Sequence, residues 1–308
     1  MRRSEVDRSK LSPMMAQYMS IKDNYEDTII FFRLGDFYEM FFDDAIIASR
    51  ELELTLTGKQ AGLEERVPMC GIPHHAYATY VDQLIEKGYK VAICEQLEDP
   101  KLTKGMVKRD VIQVVTRGTR LDDRVDAKSN NYIANIYDFN YCYGISYTDI
   151  STGEFYALVV ERDDYSVIRE VVRNGFSEVI VNDQIDRNLV NTLRTNYGVL
   201  VTITKELCEN ELYSYIYSGV EDERIIITIK HLLSYIIDTK KKELTHLQRV
   251  EVIHSNDHLL FDGNTKRNLE LTETLRNRDR MYSLLWLLDK NKTAMGSRFL
   301  KYNIENPL

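Results

Sequence analysis

The 308 residues suffice for two domains and part of a third, and 44% hydrophobic with 29% charged residues is the balance of a folded chain rather than a disordered or fibrous one. No stretch approaches the roughly 18 uninterrupted apolar residues of a membrane span, and MRRSEVDRSK at the start has no apolar segment after it, so the expected location is the cytoplasm with no membrane contact. Forty basic residues against 48 acidic ones leave a formal charge of −8, which gives the chain as a whole no field that attracts nucleic acid.

Ser12 followed by Pro13 supplies a cap and a first-turn proline for a helix in which Met15, Tyr18, Met19 and Ile21 recur at helical spacing. TIIFFRL (28–34) is β-branched and aromatic and reads as a buried strand ended by Gly35. Asp36 then reads as an N-cap, with a helix starting at Phe37 and carrying Tyr38, Phe41, Phe42, Ala45, Ala48 and Leu52 on one side. ELTLT (53–57) reads as a short strand and GKQAGLEER (58–66) as a polar loop. HHAYATYVDQLIEKG is helical and closed by Gly88, while YKVAICEQL and VIQVVT read as strands. The first domain, residues 1–117, is therefore α/β.

Periodicity disappears in RGTRLDDRVDAKSNN, which places a linker at 118–130. NYIANIYDFN, YCYGISYTDI and GEFYALVV read as three antiparallel strands, the last two joined by an STG turn. Helix-like and strand-like segments then alternate, so residues 131–255 form a second α/β domain. The patterns in IIITIKHLLSYIIDTKK, NLELTETLRNRDRMYSLLWLLDKN and MGSRFLKYNIE are helical, and residues 256–308 begin an all-α region.

Neither GxxxxGK[ST] nor GxGxxG occurs, so the chain has no phosphate loop of its own. Cys70, Cys94, Cys142 and Cys208 are too sparse for a disulfide framework and read as buried thiols. Cys70, His74, His75 and Cys94 include metal-ligand types but lack paired CxxC or HxxxH spacing, and no metal is expected there. Asp138, Asp149 and Glu154 lie near turns of the three-stranded segment, where they either form turns or assemble a magnesium site of a ribonuclease H-like nuclease. Residues 101–120 hold Lys101, Lys104, Lys108, Arg109, Arg117 and Arg120 against Asp110 alone, either a phosphate-binding stripe or a solvated loop.

The motif GDFYE (35–39) has two readings. In one, Asp36 and Glu39 form a capping box and Phe37 covers the core. In the other, Phe37 projects from the domain and wedges between bases while Glu39 probes a base edge.

FFRLGDFYEMFFDDA, VPMCGIPHHA, AICEQLEDP, VVTRGT, DISTGEF, KRNLELTETL and MGSRFLKYNIENPL, in this order between Leu11 and Leu308, resemble the MutS family of DNA mismatch-recognition proteins. The resemblance implies a mixed-sheet mismatch-binding domain, a ribonuclease H-like connector domain and the first helices of an all-α core or lever domain. It also implies an N-terminal fragment, with the clamp and ATPase domains outside it. The family's Phe-x-Glu motif falls on Phe37 and Glu39, and its contacts to the DNA backbone fall near Lys59, Lys104 and Arg109. Phe37 is thereby implied to enter the minor groove and stack on a mispaired base that Glu39 hydrogen-bonds. Further implications are docking of a MutL-type partner on the connector, dimerisation of the complete protein, and ATP with magnesium bound only by the absent domain. No catalysis and no cofactor are expected of this chain.

Physics supports the motif's role. A mispair is weakly stacked and easily bent, so wedging a ring there costs less than at a sound step. A carboxylate among phosphates repels every duplex, so Glu39 must gain a base hydrogen bond specifically at a mispair.

Overall fold

TIIFFRL forms β1 (Thr28–Leu34), and the chain turns back at Gly35 and Asp36 into β2 (Phe37–Phe41), pairing Leu34 with Phe37 and Phe32 with Glu39. Gly35 has φ +57°, the sign that a two-residue hairpin turn needs at its first central position. The computed structural model describes residues 3, 6–98, 105–120, 129–253, 263–277 and 279–307. It divides into two units, residues 1–117 with 239–243 and residues 118–238 with 244–308.

The first unit is built on a six-stranded sheet in the order β3-β4-β2-β1-β5-β6, adding β3 (Thr57–Lys59), β4 (Val67–Pro73), β5 (Lys90–Gln96) and β6 (Arg109–Val115). Only the β1–β5 pairing is parallel. On one face α1 (Pro13–Asn24) lays Met15, Tyr18 and Met19 over Phe32, Phe41, Val67 and Cys94. On the other, α2 (Phe42–Glu51) and α3 (Tyr77–Glu86) cover Phe31, Tyr38, Met40, Ile72 and Ile93. Inside, Asp44 of α2 accepts from the Ile30 N–H and the Tyr18 hydroxyl, both at 3.0 Å, and pairs with the Lys22 ammonium at 2.8 Å. Lys22 also donates to the Thr28 carbonyl at 2.6 Å, so this buried pair joins both helices to β1.

The helix expected from Phe37 begins at Phe42 instead, and residues 37–41 are strand. Pairing decides this: β2 has a neighbour on each side, and its alternate residues Tyr38 and Met40 are buried against α2 and α3. The strand expected over 53–57 lies at 57–59, partly inside the expected polar loop, and VPMCGIP supplies β4.

In the second unit, β7 (Tyr132–Asp138), β8 (Cys142–Asp149) and β9 (Phe155–Glu161) form the expected antiparallel meander. β10 (Glu178–Val181) and β11 (Leu200–Ile203) extend it in parallel beside β7, and β12 (Glu251–Val252) closes the other edge, giving the order β11-β10-β7-β8-β9-β12. Three antiparallel strands followed by parallel ones are the ribonuclease H-like arrangement. α4 (Asp164–Asn174) and α5 (Arg187–Tyr197) pack on one face, α6 (Glu223–Lys240) on the other. α6 approaches so closely that a Cβ at Gly144 would stand 2.1 Å from the Thr228 hydroxyl oxygen.

α7 (Gly263–Asn268), α8 (Leu284–Leu288) and α9 (Ala294–Glu305) follow. The long helix expected over 268–291 is thus broken. Thr274 and Asp279 bond to each other's backbone, Glu270 accepts from the Leu275 N–H, and the Ser283 hydroxyl caps α8 at Trp286. Such local side-chain bonds compete with helical ones. Among the described residues, no helix is long and apolar enough to cross a membrane.

Candidate nucleic-acid interface

The Gly35–Asp36 turn sets Phe37 at the first position of β2, beside Leu34 on β1 and Pro73 on β4. Its side chain belongs to no core cluster, and the residue is 49% exposed. Glu39, two residues on, shares the same face about 7 Å away. The motif therefore lies in a hairpin strand, and the capping-box alternative for Asp36 and Glu39, which needs a helix there, does not hold.

Across β2 from Glu39, the β4 position is Gly71, where an added Cβ would stand 3.5 Å from the Glu39 Cγ. On β3 Lys59, in register with Val67, reaches diagonally over β4 and pairs its ammonium with the Glu39 carboxylate. Both side chains are largely withdrawn from water, at 29% and 16% exposure, and the ammonium also sits 5.6 Å from the centroid of the Phe41 ring. Lys59, expected at the DNA backbone, is thus bound to the other half of the motif.

Tyr38 points the opposite way. Its hydroxyl donates to the Glu95 carboxylate, the Arg33 guanidinium lies 5.5 Å over its ring, and the Tyr77 ring packs at 5.4 Å. Burial and the neighbouring Glu95 hold its phenol well above the ordinary range. Tyr38 therefore pins β2 from one face while Phe37 and Glu39 lie on the other.

Arg109, also expected at the backbone, is buried. It donates to the Arg33 carbonyl at 2.8 Å, the Val107 carbonyl at 3.0 Å and Gln17 Oε1 at 3.3 Å, and lies 5.2 Å over the Phe32 ring. Burial lowers its pKa. It fastens β6 and β1 to α1. Arg117 likewise donates to the Ile85 and Glu86 carbonyls at the end of α3. Lys108 is exposed, and Lys101 and Lys104 lie outside the described residues.

The nuclease reading fails on geometry. Asp138 pairs across the ladder with Tyr143 and Asp149 with Tyr132, so the two carboxylates stand at opposite ends of β7 and β8, about 20 Å apart. Metal ions shared in catalysis sit only a few ångströms from each ligand. Asp138 instead binds Arg162 at 3.0 Å and the Asn140 N–H at 2.7 Å. Asp149 accepts from the N–H groups of Ser151 and Asn131, and Glu154 from the Asn130 amide. Among the described residues no cluster of three metal-ligand types occurs. All four cysteines are buried and unbridged.

Two features escaped the sequence reading. The hairpin had a local signal, Gly-Asp between two β-rich runs. The Glu39–Lys59 pair had none, because its partners are 20 residues apart and meet only across β4.

Three family models match in chain order: MutS domain I over residues 12–124, MutS domain II over 131–248 and MutS domain III over 264–308. The chain belongs to the MutS family. It is 43% identical to the DNA mismatch repair proteins MutS of Bacillus mycoides (strain KBAB4) and Bacillus cereus (strain G9842), and 42% to that of Bacillus thuringiensis (strain Al Hakam). Each match covers 302 residues, 97% of this chain but 34% of the relative, so the chain spans about a third of their length. The domain I match contains the whole first sheet with Phe37, Glu39 and Lys59. The domain II match contains the meander, β10, β11 and α4 to α6, and the domain III match contains α8 and α9.

Proposed function

We propose that this MutS-family chain recognises mispaired or unpaired bases in duplex DNA. Phe37 enters from the minor groove and stacks on the weakly held base, and Glu39 accepts a hydrogen bond from it. The observation that carries this reading is the half-exposed ring of Phe37 beside a carboxylate on one face of a rigid strand, anchored from behind by Tyr38. An aromatic in no core cluster on such a strand is dispensable for folding and available for stacking. Deformability then selects the site, which lets one surface serve many mispairs.

In this reading the chain performs no catalysis. The second unit relays the bound state or docks a MutL-type partner, and the complete protein dimerises and uses ATP with magnesium through a further domain. It works in the cytoplasm, on nucleoid DNA. Binding of matched and singly mispaired duplexes, titrated at several salt concentrations, is the test. Tighter binding to the mispaired duplex, with a weaker salt dependence of the ratio than of either affinity, is expected. Equal affinity for both duplexes refutes the reading.

A further inference from the structure

We propose that Lys59 is a positioning residue that sets mismatch discrimination through Glu39, holding its carboxylate neutralised wherever no mispaired base engages it. The proposal rests on the reading of Phe37 and Glu39 given above. Its basis is the ion pair across β4, between side chains mostly shielded from water. Lys59 stands in register with Val67 and Glu39 with Gly71, so the lysine reaches the carboxylate diagonally over β4. The Phe41 ring on the same face attracts the ammonium and holds it down on the sheet.

An unpaired carboxylate carried toward the phosphates repels matched and mispaired duplexes alike. Paired with Lys59, it presents almost no net charge, so the motif can rest against matched DNA at little electrostatic cost. At a mispair, a base N–H replaces the ammonium as the partner of Glu39, and the ammonium is released toward a phosphate. The exchange is favourable only where a base offers that donor, which is the condition for discrimination.

Two ways of using Lys59 make opposite predictions. A lysine that simply contacts phosphate contributes equally to matched and mispaired duplexes, whatever stands at position 39. A lysine that acts through Glu39 changes the preference only while the carboxylate is there. Lys59→Met, which keeps the stem and removes the charge, should then weaken matched binding about threefold to tenfold and mispaired binding less, so that the mispair preference rises. Glu39→Gln should strengthen matched binding and lower the preference. In the Glu39→Gln background, where the ammonium has no carboxylate to hold, Lys59→Met should weaken both duplexes alike and leave the preference unchanged. Lys59→Arg should behave as the parent.

The experiment is this double-mutant cycle on the full 308-residue chain, with a matched duplex and the same duplex carrying one mispair, at two salt concentrations. The preference is a ratio within each variant, so a variant that folds incompletely still reports it, and Lys59→Gln repeats the cycle with a second side chain. Equal losses on both duplexes, the same in both backgrounds, overturn the role of Lys59 while leaving that of Phe37 and Glu39 intact. A parent chain with no preference overturns both.

Discussion

The Tyr38 hydroxyl donates to the Glu95 carboxylate two strands away, so the residue between Phe37 and Glu39 is fastened to the face opposite both of them. Arg33, paired with Tyr38 in the ladder, lies between the two strands and reaches Glu95 at 3.6 Å. Tyr38→Phe removes the hydroxyl and leaves Glu95 to Arg33. The expected loss is about 1 kcal/mol, seen as a fall of a few degrees in the melting temperature. An unchanged melting temperature would mean that the hydroxyl contributes nothing to holding β2.

Phe37→Ala should separate binding from stability. Removing the ring should cost about 1–3 kcal/mol of mispair binding. Because the ring lies outside every core cluster, stability should change by no more than about 0.5 kcal/mol. Denaturant unfolding and duplex titration on the same sample test it, and a large stability loss with unchanged preference would assign Phe37 to the core.

The Lys22–Asp44 pair predicts the opposite behaviour. Both side chains are under a tenth exposed, and burial pushes the Asp44 carboxyl up despite the ammonium beside it. Lys22→Met leaves that carboxylate without its counter-charge, and about 3–5 kcal/mol of stability should be lost. Asp44→Asn added to Lys22→Met should recover part of the loss, because a neutral amide costs less to bury. A denaturation midpoint that fails to move would show the pair to be energetically silent.

Asp289 gives a pH-dependent prediction. Burial would push its carboxyl up, but hydrogen bonds from Asn291 and Ser297 and the Arg280 guanidinium bring it down from 3.8 to about 2. A carboxyl lowered on folding contributes stability that is fully present above its unfolded value and lost as pH falls through the folded one. Asp289→Asn should therefore destabilise the chain at neutral pH, and its penalty should shrink as the pH falls from 3.8 towards 2. A penalty independent of pH would assign the effect to packing.

Cys70 and Cys94 should be inert in the folded chain. Burial, aided by the charges of Asp44 and Asp110 respectively, pushes both thiols up to about 12, leaving almost no thiolate at pH 8. Alkylation should require denaturant. Rapid labelling of either under native conditions would show that the sheet opens locally.

Local patterns were enough to place β1, α1, α3, β5, β6, the meander and α6, because an alternating or helical apolar pattern is a property of a few consecutive residues. They were not enough at DFYEM. There Tyr38, Phe41, Phe42 and Ala45 satisfy helical spacing, and only the pairing of β2 with both β1 and β4 selects the strand. The same limit appears at 268–291, where turn bonds around Thr274 and Asp279 override an apolar pattern.

Phe37 and Glu39 were legible from the sequence because the motif is contiguous, and the family resemblance assigned them as a pair. What surrounds them was decided by the tertiary structure alone. Glu39 meets Lys59 only across β4, Arg109 is drawn inward by the Arg33 carbonyl and the Phe32 ring, and Asp138 is carried to the far end of the ladder from Asp149. A residue's type shows what it can bind. Which partner it has depends on strand order and register, set by the burial of both sheet faces at once, and no short stretch of sequence contains that information.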